Sequence, residues 1–282
     1  MENQQGNLRD KTCIVTGANA GIGKAIAVGL AHLGATVVMV TRDRMRGEAA
    51  STEVRTASGN PSVELMIADL SSLTSVRNLT AEFKLKHPKL DMLVNNAAVF
   101  TRTRTITSDG VELMFATNHL APFLLTNLLL EPLKASGAAR VLNITAPSTV
   151  KIDFDNLQGE RRFNALNAFG ATKMGNLLFT FELARRLAGR GVTVNAVHPG
   201  LVKSNLMREA PALLRWFTTL MSAAPDRAVE PIVRLAYAPE FAGQTGRFYH
   251  KGKEIHADAY AYDPNIQRRL WDVSAKLTRL SI

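Results

Sequence analysis

The chain has 282 residues, 46% of them hydrophobic, and a formal net charge of +10. That length and apolar share suit one large globular domain over residues 1–282, and no Pro/Gly/Ser-rich linker divides it. The basic residues are spread along the chain without a dense tract, which argues against nucleic acid and for a solvated surface that draws an anionic ligand.

The segment from Met1 to Asp10 is polar and lacks the apolar core of a secretory signal. No uninterrupted apolar run approaches bilayer-spanning length. The single cysteine, Cys13, sits in an apolar stretch and has no partner for an internal disulfide. A cytoplasmic protein is expected.

Lys11–Thr16 reads as a short buried strand that runs into Gly17-Ala-Asn-Ala-Gly21-Ile-Gly23 and then a helical pattern, Lys24 to Leu33. Strand, glycine turn and helix together bring backbone N–H groups up to a diphosphate, and glycine permits the sharp turn and close approach. Ala35 to Val40 follows as a second strand and completes a βαβ unit. The end of that strand selects the dinucleotide. An acid there would accept hydrogen bonds from a ribose 2′-OH, but the chain reads Thr41-Arg42-Asp43-Arg44. Arg42 is placed to fork onto a 2′-phosphate, Arg44 adds positive potential, and Asp43 falls one position late, so NADP is favoured over NAD.

The pattern then repeats. A helix over Met45 to Ala57 leads to a strand over Ser62 to Ile67 and the turn Ala68-Asp69-Leu70. Ser71 or Ser72 caps the next helix, which runs to about Lys86 before Pro88. Leu90 to Val94 is a fourth strand, closing on Asn95-Asn96-Ala97-Ala98, small residues and amides suited to a ligand edge. A polar loop carries Arg102 and Arg104, and one long helix is expected from Val111 to Leu133. Asn118 in its middle is a poor helix former unless its side chain has a task or faces solvent. Ala139 to Thr145 and Val192 to Val197 are further strands, so the alternation predicts an α/β, Rossmann-type doubly wound parallel sheet of about seven strands. In the helical segment between them Phe169 and Lys173 are four apart and share a face.

These features resemble the short-chain dehydrogenase/reductase family, and within it the retinol-dehydrogenase-like branch. The likeness rests on Thr16-Gly17-x-x-x-Gly21-x-Gly23, Asp69, Asn95-Asn96-Ala97, Asn118, Lys173 and Pro199-Gly200, in that order. Segments such as Asn156-Leu-Gln-Gly-Glu160 and Glu182-Leu-Ala-Arg-Arg-Leu187 add to it. The resemblance implies a dinucleotide-binding core over about 8–200, a substrate lid over about 201–225 and a C-terminal helix over about 264–280. It further implies cofactor contacts at Gly17, Asn19, Ala20, Gly21, Ile22, Gly23, Asp69, Leu70, Asn95, Ala97, Lys173, Pro199, Gly200, Val202 and Ser204. The family works with a tyrosine acid, a lysine four residues on, a serine at the fifth strand's end and a helix asparagine. On this chain the asparagine is Asn118 and the lysine Lys173, whereas the serine position falls on Ala146 and the tyrosine position on Phe169.

None of the four tyrosines lies near Lys173 in sequence. Ser148 and Thr149 are within reach as substitutes, although an unactivated hydroxyl is a poor acid at neutral pH. His198 reads as structural, and Tyr249 on a seventh strand is a remote candidate. Losing both hydroxyls impairs ordinary ketone reduction. The expected function is therefore NADP(H)-dependent hydride transfer to a hydrophobic small molecule, an iminium or conjugated acceptor, in a tailoring or biosynthetic step. A redox-neutral cyclase or isomerase and a non-catalytic NADP-responsive binding protein remain open, as does the possibility that Ala146 and Phe169 are engineered. The apolar stretch Asn205 to Ala224 reads as the lid, with peripheral membrane contact as its rival; no metal is called for, and a homo-oligomer is as open as a monomer.

Overall fold

A computed structural model describes residues 7–200 and 225–281. The expected lid, with Val202 and Ser204, lies outside the described residues. Strands β1 (Thr12–Thr16), β2 (Thr36–Thr41), β3 (Val63–Ile67), β4 (Met92–Asn95), β5 (Ala139–Ile144), β6 (Val192–His198), β7 (Phe248–His250) and β8 (Lys253–Ile255) form one sheet in the order β3-β2-β1-β4-β5-β6-β7-β8. All neighbouring pairs are parallel except the last, β7–β8.

Alternation along the strands divides the interior between two faces. Ile14, Val38, Leu93 and Val141 pack on one side with Phe83, Phe123, Phe179 and Trp271. Cys13, Val15, Val37 and Met39 pack on the other with Ile26, Leu30, Val54 and Val233. The helices are α1 (Gly21–His32), α2 (Arg44–Ser58), α3 (Leu73–Lys86), α4 (Leu113–Phe115), α5 (Ala121–Leu128), α6 (Leu130–Ser136), α7 (Ala165–Arg186), α8 (Pro225–Tyr237) and α9 (Pro264–Thr278), and all but α4, whose Met114 and Phe115 join smaller clusters, supply these faces. Among the described residues no single helix is long and apolar enough to cross a membrane.

One expectation needs correction. The helix expected from Val111 to Leu133 is instead three pieces: α4 passes through a π-helical turn, Ala116–Leu120, into α5, and α6 begins after Leu129. Prolines account for both breaks. Pro122 has no N–H for the carbonyl of Asn118, and the chain widens so that Ala121 N–H bonds Ala116 O; Pro132 crowds the carbonyl of Leu128, where α5 ends. The sheet agrees with the expected doubly wound parallel sheet of about seven strands and has eight in all. The added edge strand β8 turns back antiparallel through Lys251 (φ 51°) and Gly252 (φ 74°), the two left-handed residues of a tight hairpin.

The order of the strands reverses between β1 and β4, so a crevice opens at their carboxyl ends. Both the glycine turn and the Asn95–Ala98 segment empty into it.

Candidate active site

The glycine turn is held from below by Thr16 and Asn96. Thr16 Oγ1 accepts from Asn96 N–H (2.9 Å) and Ala97 N–H (3.0 Å), while Asn96 Nδ2 donates to Thr16 O (2.8 Å). Gly17 and Gly21 take φ of 65° and 55°, open to glycine without strain. At Gly23 a Cβ would lie 2.4 Å from Gly17 O and 2.5 Å from Asn96 Nδ2. The first turn of α1 has Ala20 at its N-cap with no side-chain cap and no acidic residue, which leaves the N–H groups of that turn for an anion. The cradle therefore fits a dinucleotide diphosphate. Gly23→Ala should lower stability by roughly 1–3 kcal/mol through overpacking. It should also abolish stabilisation by a dinucleotide cofactor, as read by thermal shift with NADPH and with NADH.

At the rim, Arg42 is exposed just beyond β2 and has no ion-pair partner among the described residues. Asp43 accepts from Arg46 N–H (2.9 Å) as the N-cap of α2, which gives its carboxylate a structural task. Arg44 lies 3.8 Å from Glu48 in an exposed i,i+4 pair. Asp69 turns its carboxylate onto Ser71, accepting from its N–H (2.9 Å) and its hydroxyl (2.8 Å), with Leu70 buried beside it.

Asn95 and Asn96, adjacent in sequence, part company as alternation requires. The side chain of Asn95 enters the interior, donating to Thr126 Oγ1 (3.0 Å) and Asn143 Oδ1 (2.8 Å). Asn143 continues to Thr180 Oγ1 (2.9 Å) on α7. Asn95 therefore offers the crevice its backbone, and the amide that touches the glycine turn is that of Asn96. Sequence reasoning missed Thr16 and Asn96 as holders of the turn; the side-chain alternation along β4 was the available signal.

The widened turn before α5 carries Asn118, 1% exposed. Its Oδ1 accepts from Val99 N–H (2.8 Å), and its Nδ2 donates to Val99 O (3.0 Å) and Thr172 Oγ1 (3.2 Å). It thus clamps the segment after β4 to α7. Thr172 in turn donates to Phe169 O (2.7 Å).

On α7, Lys173 is 7% exposed and its Nζ lies 5.1 Å from the centroid of the Phe169 ring. Burial pulls the ammonium pKa down from 10.5 to about 8. No carboxylate pairs with it among the described residues, so the ring face is its polarisable neighbour. Phe169 meets Phe100 edge-to-face with centroids 5.7 Å apart, inside a cluster that includes Met114, Phe163 and Ala168. Thr145 Oγ1 donates to Lys173 O (2.9 Å) and Ser148 Oγ to Gly170 O (2.8 Å). Those two bonds stitch the end of β5 to α7 and hold Ala146 between them. The hydroxyl of Ser148 is thereby engaged with backbone.

The remaining candidates lie at the edge of β6 and β7. His198 stacks on His250 (centroids 4.7 Å), whose Nδ1 makes a 3.0 Å hydrogen bond to His198 O. Burial, helped by the neighbouring His250, pushes the His198 pKa down to about 4, so it is neutral at pH 7. Pro199 and Gly200 (φ 81°) follow directly. Tyr249 does not face the centre: it is 2% exposed, packs on Phe241 and bonds the side chain of Gln244.

Comparison with known proteins agrees with this geometry. The family model described as short chain dehydrogenase matches residues 11–213. Retinol dehydrogenase 14 of Homo sapiens is 39% identical over 296 aligned positions, covering 98% of this chain and 88% of that protein. Among solved structures, an uncharacterized Mycobacterium paratuberculosis protein superposes with a TM-score of 0.79 at 31% identity, over 98% of this chain and 96% of that one. A Pseudomonas aeruginosa RhlG/NADP active-site complex gives a TM-score of 0.70 at 27% identity, over 86% and 94%. The chain belongs to the short-chain dehydrogenase/reductase family, in its retinol-dehydrogenase-like branch, and is an oxidoreductase of that type.

Proposed function

We propose that the chain is an NADP(H)-dependent reductase of an apolar small molecule whose electrophilic carbon needs no phenolic acid, an iminium or a polarised conjugated alkene. The observation that carries this reading is Lys173 facing the ring of Phe169, with Ala146 alongside, next to an intact dinucleotide cradle. NADPH supplies hydride. The glycine turn and the open first turn of α1 hold the diphosphate, Arg42 takes the 2′-phosphate, and Lys173 binds the nicotinamide ribose. Phe169 and Phe100 give the substrate an apolar wall and keep water from the carbon that accepts hydride. Asn118 acts through position: its bonds to Val99 and Thr172 fix the loop and helix that form the wall.

Hydride delivered to an iminium would form the new C–H bond while its electron pair neutralises the positive charge, so no proton is required; a conjugated acceptor would take one proton from water at the carbon next to its activating group. NADPH consumption should match amine formation one to one for an apolar cyclic iminium, while the corresponding ketone reacts at least a hundredfold more slowly. Product formed without NADPH loss would instead support a redox-neutral isomerase or cyclase. Arg42→Ala should weaken NADPH binding about 10- to 100-fold, the loss of a hydrogen bond to a charged group, and leave NADH binding nearly unchanged. Titration calorimetry with both nucleotides reads that difference.

A further inference from the structure

The flank of α7 that faces away from Lys173 borders a hollow of about 480 Å³. Ala168, Ala171 and Thr172 form one wall, Glu112 and Phe115 another, and the loop from Val150 to Asn164 the third. Neither Phe169, Lys173 nor Ala146 lines it. Its size falls within the roughly 300–1,000 Å³ usual for small-molecule pockets.

The loop wall is built rather than draped. Asn156 Nδ2 donates to Arg162 O (2.9 Å) and its Oδ1 accepts from Arg161 N–H (2.9 Å). Gln158 accepts from Glu112 N–H through Oε1 (3.0 Å) and from Arg104 Nε through its carbonyl (2.8 Å). Tyr260 accepts from Ile152 N–H (3.2 Å), and Arg269 lies 4.0 Å over the Phe154 ring. These contacts hold the apolar floor of Phe115, Ile152 and Leu157 below a rim that carries Lys151, Arg161 and Arg162; Asp153 is the exposed carboxylate that borders the hollow, while Asp155 and Glu160 are exposed on the same loop without lining it. None of the three cations has an ion-pair partner among the described residues. The wall carboxylate, Glu112, is 2% exposed and already accepts from Met114 N–H (3.0 Å) and Phe115 N–H (2.7 Å).

We propose that this hollow is a second binding site, for an amphipathic organic anion: a carboxylate held at the Arg161/Arg162 rim, with its hydrocarbon tail on Phe115, Ile152 and Ala171. Apolar burial supplies the affinity, and the paired guanidinium groups select the charge.

Dodecanoate, dodecanol and dodecyltrimethylammonium, each below its micellar concentration, provide the test by titration calorimetry on the full chain saturated with NADPH. Dodecanoate should bind one to one and at least tenfold more tightly than the alcohol or the cation, with affinity falling as salt rises. Arg161→Glu/Arg162→Glu changes exposed side chains and should weaken dodecanoate at least tenfold; Ala171→Trp, which fills the hollow, should abolish binding. Ala146→Phe, which fills the reaction centre, should leave it unchanged. Equal binding of all three probes, or loss of dodecanoate binding in Ala146→Phe but not in Ala171→Trp, would overturn the proposal.

Discussion

Ala146→Ser/Phe169→Tyr is expected to raise kcat/KM for reduction of a simple apolar ketone at least a thousandfold. A positioned general acid contributes roughly 10² to 10⁴ in rate and a donor to the developing oxyanion a further 10² to 10³. The scaffold to receive them is in place. Lys173 is one helical turn from position 169 with its ammonium over the ring, and a cation there draws down the pKa of a phenol. Thr145 and Ser148 already fasten position 146 to α7. The phenol must be protonated to act, so the gained reduction should decline with rising pH through the phenol's titration. Phe169→Tyr alone should recover the acid's share, roughly 10² to 10⁴, and Ala146→Ser alone no more than the donor's roughly 10² to 10³. A double variant that binds NADPH but reduces no ketone would show that positions 146 and 169 are not the places of the missing donors.

Lys173→Met should produce the opposite kind of change, a more stable and less functional protein. The ammonium is buried, its pKa falls from 10.5 to about 8, and each unit is worth about 1.4 kcal/mol, so its replacement should stabilise the nucleotide-free protein by roughly 3 kcal/mol at pH 7. The sign follows from proton linkage. Below pH 8 both folded and unfolded chains carry the proton, and the penalty is fully present. Between about 8 and 10.5 the folded chain releases it first, so the parent gains stability with rising pH and the gap to Lys173→Met narrows. Denaturant unfolding at pH 7 and pH 10 measures both ends. On the proposed binding mode the same variant should gain less from NADPH than the parent does, because the ribose would lose its donor. A variant no more stable than the parent at pH 7 would mean that the ammonium is already compensated in the empty protein.

The sheet was legible because its central strands are short, largely apolar runs, two of which, β1 and β4, end at Gly17 and at the Asn95-Asn96 amides, and their residues are buried on both faces. The helix through Asn118 was not, because its two prolines, Pro122 and Pro132, sit where each removes one turn's bond, and apolar periodicity is blind to a missing N–H. β8 escaped for another reason: three residues, two of them charged, cannot display alternation. α8 was also passed over, with Pro231 inside it. At the site, the Phe169–Lys173 pairing followed directly from helical spacing and places the cation over the ring. The division of labour between Asn95 and Asn96 did not, since it depends on which face of β4 looks toward α5 and which toward the glycine turn.

The chain of amides from Asn95 through Asn143 to Thr180 has a consequence for how the fold chooses itself. Met92, Leu93 and Val94 beside Arg140, Val141 and Leu142 form a largely aliphatic parallel pair, and aliphatic neighbours tolerate sliding. A slip by one residue would carry Asn143 to the opposite face of the sheet and strand three buried polar groups, at about 1–3 kcal/mol each. The amides therefore act as a vernier: they admit one alignment of β4, β5 and α7 and reject its neighbours. Because α7 also bears Phe169 and Lys173, that alignment sets the height of the reaction centre above the crevice.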